Sequence, residues 1–145
     1  MAHPDLNELL NALYSAAENL LTKNGEFYPI GAFMASDGAI QFVGVMDGDN
    51  EHPSSQSLID SMTAIFQQSA RQGALRAAGI CYDALTIPPG KNRKQDAMCC
   101  SLEHSHGEAV EVFRPYTKTQ NGQIQFDDIF ATRRTPHFFC EPLLD

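Results

Sequence analysis

Residues 95–116, with the sequence QDAMCCSLEHSHGEAVEVFRPY, contain two apolar stretches separated by a short polar turn. A loop made of residues 105–107 places Leu102 opposite Val110, so that the more apolar side chains of both strands share one face. Three-residue hairpin loops commonly end in a residue with positive φ, and Gly107 occupies that place. The stretch therefore predicts an antiparallel β-hairpin.

A second hairpin is predicted upstream, between the apolar stretches 27–35 and 40–45. Asp37-Gly38 is typical of a type I′ turn, which needs positive φ at both central residues. Such a turn places Phe33 opposite Phe42. Because both faces of these strands carry mostly apolar side chains, we expect them to be covered on both sides, by helices or by a second subunit.

Two amphipathic helices flank this second hairpin in the chain. Apolar residues recur every three or four positions in 5–23 and again in 54–73, which is the spacing of a helix with one buried face. Gly25 and Gly73 follow the two segments and favour helix termination. One further strand is predicted at about 75–87, where the chain is again mostly apolar.

The predicted fold class is α+β, with a single antiparallel sheet of about five strands and two main helices. The element order is α-β-β-α-β-β-β, and this order resembles that of profilin-like and roadblock-type domains at the level of topology. The resemblance implies a sheet domain of mixed class and no particular activity. A length of 145 residues corresponds to one domain, 1–145, in which 117–145 is predicted to be less regular.

Composition narrows the partners and the compartment. The chain has 10 Lys and Arg against 18 Asp and Glu, a net charge of −8, so nucleic acid and anionic membranes are disfavoured. The basic run at 91–94 contains no aromatic residue on which a base would stack. There is neither a secretory signal nor an apolar run long enough to span a membrane, so a cytoplasmic location with reduced thiols is expected.

The first hairpin also carries the best candidate for a metal site. His104 and His106 are one residue apart and point to the same side of a strand, and Glu108 is near enough in sequence to supply a third ligand. Three such ligands with one open position are typical of zinc. In the alternative interpretation, His104 and Glu108 are an exposed cross-strand pair that adds a few tenths of a kcal/mol.

His104-Ser105-His106 is also similar to the core of the JAMM-type metalloprotease motif. That motif continues with Ser-x-x-Asp shortly afterwards, where this chain has Arg114-Pro115-Tyr116-Thr117, so the match is rejected.

Two other polar or reactive segments have structural interpretations. Cys99-Cys100 is interpreted as two buried side chains that act as small hydrophobic groups, because adjacent strand residues point to opposite faces. The acidic stretch 47–51 has a calcium-loop appearance, yet His52 and Leu58 occupy the positions where an EF-hand needs Gly and Glu. That stretch is therefore predicted to be a solvated loop.

These observations favour a non-catalytic protein-interaction or regulatory domain that forms a homodimer. Phe33 and Phe42 are the predicted interface residues, and no cofactor is expected. The alternative is a small metal-dependent enzyme or ligand-binding protein that uses His104, His106 and Glu108, with zinc as the metal.

Overall fold

The computed structural model describes residues 3–43 and 54–139. Two helices lie in these ranges, α1 (Pro4–Asn24) and α2 (Ser55–Arg71), and both agree with the predicted segments. Helix α1 ends at Gly25, whose φ of 76° is the left-handed conformation expected of a glycine cap. Helix α2 begins after Ser54, whose hydroxyl accepts a hydrogen bond from the Ser57 amide at 3.0 Å.

Seven strands in the described ranges form one antiparallel sheet. They are β1 (Ile30–Ala35), β2 (Ile40–Val43), β3 (Leu75–Thr86), β4 (Gln95–His104), β5 (Ala109–Lys118), β6 (Ile124–Phe126) and β7 (Phe130–Arg133). Their order is β2-β1-β3-β4-β5-β6, and β7 also pairs with β5. The α+β class and the single sheet are thus confirmed.

The strand count is higher than expected because two short strands, β6 and β7, follow β5 and join the sheet. Strand β5 is long enough to pair with two short strands, with β7 along Val110–Phe113 and with β6 along Tyr116–Lys118. Short strands whose pairing depends on a distant partner leave little periodic signal in the sequence.

The register of the β1–β2 hairpin differs from the prediction by one residue. Phe42 lies opposite Ala32, and Phe33 lies opposite Gln41. The turn is a three-residue loop in which the Gly38 amide donates to the Ala35 carbonyl at 2.9 Å and only Gly38 has positive φ. Since a type I′ turn would also need positive φ at Asp37, the predicted pairing of Phe33 with Phe42 is wrong.

Each face of the sheet packs against one helix, so β1 is covered on both sides as expected, whereas β2 at the edge of the sheet is only partly covered. Helix α1 packs its leucines on the face that includes Ala32, Met34 and Cys100. Helix α2 packs on the other face, where Phe66 lies near Ile80. No helix among the described residues is long and apolar enough to cross a membrane.

The β4–β5 hairpin has the predicted register. Leu102 lies opposite Val110, and the His104 amide donates to the Glu108 carbonyl at 2.8 Å to close the loop. Gly107 has a φ of 103°, as the three-residue loop requires. This turn brings the end of β4 next to the beginning of α1, where the candidate site lies.

Candidate metal centre

Three histidines meet where α1 begins and the β4–β5 turn ends. His3 is the residue that precedes α1, His104 is the last residue of β4, and His106 lies in the turn. One potential ligand nitrogen from each lies within 4.8 Å of the other two. The three side chains differ in burial, since His104 is 1% exposed, His3 is half-buried and His106 is exposed.

Hydrogen bonds fix the orientation of the buried imidazole. His104 Nε2 lies 2.8 Å from Asp5 Oδ2, and His104 Nδ1 accepts the His106 backbone amide at 3.1 Å. An acceptor role for Nδ1 requires that the proton of the neutral ring be on Nε2, which then donates to Asp5. This hydrogen bond holds the pKa of the Asp5 carboxyl below its usual value, despite the opposing effect of partial burial.

The arrangement resembles the carboxylate–histidine pairs that support metal ligands. In such pairs one ring nitrogen donates to a carboxylate, which leaves the other nitrogen to bind the ion. In His104 the available nitrogen is Nδ1, whose present partner is the His106 amide. An ion bound at Nδ1 would therefore replace this hydrogen bond.

The rings of His3 and His104 are stacked, with centroids 3.9 Å apart and planes inclined by 22°. His106 is tilted by 60° against His104, at 4.5 Å. Tetrahedral zinc places its nitrogen ligands about 3.4 Å apart. Because lone pairs lie in the ring plane, stacked rings do not aim at one ion, so binding of a single ion by all three histidines would require His3 and His106 to rotate around the fixed His104.

The charges around the cluster are suited to a cation. Asp5 contributes one carboxylate, and Glu108 contributes a second, which accepts the His3 backbone amide at 3.1 Å. The guanidinium of Arg76 lies 4.0 Å from Asp5, at the outer limit of an ion pair. Two carboxylates and one guanidinium leave a net negative charge beside the three imidazoles.

The structure changes the predicted ligand set. It brings His104 and His106 together as expected, but the third converging side chain is His3, while Glu108 holds the backbone at the start of α1. The alternative prediction, that His104 and Glu108 form an exposed cross-strand pair, is wrong, because His104 is buried and its side chain is hydrogen-bonded to Asp5. The two residues are opposite in the ladder, yet their side chains have different partners.

The role of His3 was missed because it depends on where α1 packs. As the residue that caps α1, His3 accepts the Asp5 amide through Nδ1 at 3.1 Å. A histidine beside a proline at a helix start indicates only a local boundary. Its proximity to His104 results from the packing of α1 across β3 and β4, about a hundred residues later in the chain.

A second polar cluster lies on the opposite face of the sheet. Glu103, fully buried, accepts the backbone amides of His137 and Phe138, each at 2.7 Å, and of Phe139 at 3.2 Å. Its carboxylate also forms an ion pair with Arg134. These bonds hold residues 134–139 against α2, where the Phe138 ring lies 5.3 Å from that of Phe66.

The other residues named in the sequence predictions have three different outcomes. Cys99 and Cys100 are fully buried, in agreement with their interpretation as core residues. The acidic stretch 47–51 lies outside the described residues. The predicted interface residues Phe33 and Phe42 lie on opposite faces of the sheet. Phe42 shares a face with Ala32, its direct partner on β1, and Phe33 is the next residue along β1, so it points to the other face.

Fold and site together define an α+β protein with a helix on each face of one antiparallel sheet and a histidine cluster at one end. Comparison of the chain with protein-family models, with curated proteins and with solved structures gives no match.

Proposed function

We propose that this protein binds a divalent transition-metal ion, zinc foremost, through His3, His104 and His106. The observation that supports this most directly is the convergence of three imidazole nitrogens within 4.8 Å. Imidazole suits zinc, copper, nickel and iron, whereas calcium and magnesium prefer oxygen ligands. The chemistry of the donor set therefore favours a late first-row metal.

The proposed ion joins two parts of the chain. His3 is attached to α1, whereas His104 and His106 belong to the β4–β5 hairpin. An ion held by all three fastens the start of the helix to the sheet and stabilises the folded state by its binding free energy. Since His106 is exposed, the fourth position faces solvent and accepts water or a ligand from outside.

Zinc titration of the purified chain, followed by calorimetry, tests the proposal. We expect one ion per chain and an increase in the thermal unfolding temperature when zinc is added. Cobalt gives an independent readout, because tetrahedral cobalt absorbs visible light far more strongly than octahedral cobalt. Absence of both zinc binding and the cobalt spectrum at millimolar metal contradicts the proposal.

His106→Ala is the most informative variant, because the exposed side chain is removed without a core cavity. We expect it to weaken zinc binding at least tenfold and to leave the unfolding temperature of the metal-free chain nearly unchanged. Ser105→Ala is the matched control in the same turn, since Ser105 is also exposed and is not one of the three proposed ligands. Equal zinc affinity in both variants contradicts the ligand assignment.

A second candidate function is self-association through β2, which would make the protein the homodimeric interaction domain that the sequence favours. Strand β2 is the first in the sheet order, and no strand among the described residues pairs with its outer edge. Phe42 on this strand is 53% exposed, an unusual exposure for a large apolar side chain. A second copy related by a two-fold axis would pair its β2 with this edge and cover both Phe42 rings.

The association state in solution tests this second candidate. Light scattering after size exclusion is expected to give twice the chain mass, and Phe42→Asp is expected to give a monomer. Tyr28→Asp is the control, because Tyr28 is equally exposed, at 50%, but lies outside β2. A monomeric parent chain at micromolar concentration contradicts the proposal.

A further inference from the structure

Two buried cysteines face each other across the centre of the sheet. Cys81 on β3 and Cys100 on β4 are direct partners in the strand register. Both are fully buried, and both belong to the core beneath α1. No spacing rule in the sequence connects them, because the pairing depends on the register of two strands joined by a long loop.

The hydrogen-bond pattern of the β3–β4 ladder identifies the type of this pair. The Ser105 amide donates to the Arg76 carbonyl at 2.9 Å, and these two residues continue the same register, so they form a hydrogen-bonded pair. Antiparallel pairs alternate between hydrogen-bonded and non-hydrogen-bonded types. Cys81 lies five residues after Arg76 on β3, and an odd number of steps reverses the type of pair. Cys81 and Cys100 therefore form a non-hydrogen-bonded pair.

Such a pair has the backbone spacing that a disulfide requires. Non-hydrogen-bonded partners have Cα atoms about 4.5 Å apart, which lies within the roughly 4.4–6.8 Å range of disulfides. Cys99 is excluded from this bond because it points to the other face, where its thiol donates to the Tyr82 hydroxyl at 3.3 Å. Of the three cysteines in the described part of the chain, the geometry thus selects one pair.

We infer that Cys81 and Cys100 form an oxidation-sensitive dithiol that closes to an intramolecular disulfide when a peroxide reaches the sheet beneath α1. One sulfur attacks the peroxide oxygen, which gives a sulfenic acid and one water. The second sulfur then displaces the hydroxyl group as a second water and forms the S–S bond. Two electrons pass from the two sulfurs to hydrogen peroxide, and the two thiol protons leave in the water.

Helix α1 controls access to this dithiol. Burial raises the pKa of the Cys100 thiol well above its usual value, so the reactive thiolate is scarce while α1 is in place. Tyr14 on α1 donates to the carbonyl of Val112, the strand partner of Cys100, at 2.8 Å. Oxidation therefore requires local opening of α1, and its rate depends on the stability of this contact.

Peptide mapping of the reduced chain after exposure to hydrogen peroxide tests the inference. Remaining thiols are alkylated, and trypsin then cleaves at Lys91, Arg93 and Lys94, which separates the two cysteines into different peptides. We expect these peptides to be joined by a disulfide. Cys99→Ser is needed because Cys99 and Cys100 share one peptide, and the joined product is expected to persist in this variant.

Two further variants complete the test. Cys81→Ser is expected to abolish the joined product, and Tyr14→Phe, which loses only the hydroxyl, is expected to accelerate its formation several-fold. Loss of the product in Cys99→Ser overturns the inference, as does a bond to Cys140 in place of Cys81. If Cys81→Ser fails to fold, the mapping of the parent chain still decides the matter, since an unmodified Cys81 after peroxide treatment in mild urea contradicts the proposal.

Discussion

The carboxylate of Glu103 and the guanidinium of Arg134 form an ion pair inside the protein, with Glu103 fully buried and Arg134 only 13% exposed. The same carboxylate accepts three consecutive backbone amides of residues 137–139. One side chain of β4 therefore balances the charge of a mostly buried guanidinium and accepts the hydrogen bonds of three backbone amides that lie outside the helices and strands.

Replacement of Glu103 is expected to be the most destabilising polar substitution in the described part of the chain. Glu103→Gln keeps the size of the side chain but removes the charge that balances Arg134, so we expect a loss of about 3–5 kcal/mol in the free energy of unfolding. Urea denaturation measures this loss. Asp128→Asn, at an exposed position, is the control and should change the free energy by less than about 0.5 kcal/mol.

A second prediction concerns two glycines on the central strands. A methyl group at Gly79 would lie 2.6 Å from Leu102 and 2.8 Å from Leu13, so Gly79→Ala requires two packed leucine side chains to move. At Gly31 the closest atom, also at 2.6 Å, is the sulfur of Met62, whose flexible side chain moves at lower cost. We expect Gly79→Ala to cost about 1–3 kcal/mol and Gly31→Ala clearly less, as measured by thermal unfolding.

Equal losses in the two glycine variants would contradict this prediction, because Gly79 has two contacts shorter than 3 Å, whereas Gly31 has one, and that one is to a flexible methionine. A near-native Gly79→Ala variant would mean that α1 adjusts its position without loss of packing.

The third prediction is a dependence on pH at Asp83. Partial burial raises the pKa of this carboxyl, and the hydrogen bond from Tyr116, at 2.7 Å, opposes the shift only in part. A raised folded-state pKa means that ionisation disfavours folding, so the native state is relatively more stable below the unfolded value of 3.8 and loses stability as pH rises through the folded pKa.

Asp83→Asn removes this ionisation. Relative to the parent chain, the variant should gain stability between pH 3 and pH 7, by on the order of 0.5 kcal/mol because the carboxylate is partly exposed. Urea denaturation at both pH values measures the change. Asp128→Asn is again the control. An Asp83→Asn variant that loses stability relative to the parent chain between these pH values would contradict the prediction.

The fold was largely predictable because its signals are local. The leucine spacing of α1, the glycine at 25 and the loop at 105–107 each determine a boundary or a register within a few residues. The β1–β2 register was missed because Asp-Gly suits more than one turn type. Here the loop places positive φ at Gly38 alone, which shifts every pair by one residue.

The site was only half predictable, for a different physical reason. His104 and His106 are separated by a single residue in the sequence, whereas His3 and Asp5 join them through the packing of a helix on a sheet. The amphipathic pattern of α1 shows that it packs on the sheet, but not over which strands. The same limit applies to Glu103, whose partners at 134 and 137–139 are 31 or more positions away.

The last prediction separates metal binding from a merely structural role of the histidine cluster. Asp5 touches no proposed open coordination position, but its carboxylate orients His104 through the 2.8 Å hydrogen bond. Loss of such an outer partner typically weakens metal binding about 10–100-fold. We therefore expect Asp5→Asn to lower zinc affinity by that factor, and to destabilise the metal-free chain by about 1 kcal/mol, because asparagine still accepts from His104 but lacks the charge that strengthens this hydrogen bond.

Glu8→Gln is the matched control, since Glu8 lies one turn further along α1 and is exposed. Zinc affinity is measured by calorimetry and stability by urea denaturation of the metal-free protein, so the two effects are obtained separately. A structural role alone would change the stability and leave the zinc affinity of the folded fraction intact. An affinity that falls together with stability, and only in Asp5→Asn, is the result expected if His104 is a ligand oriented by Asp5.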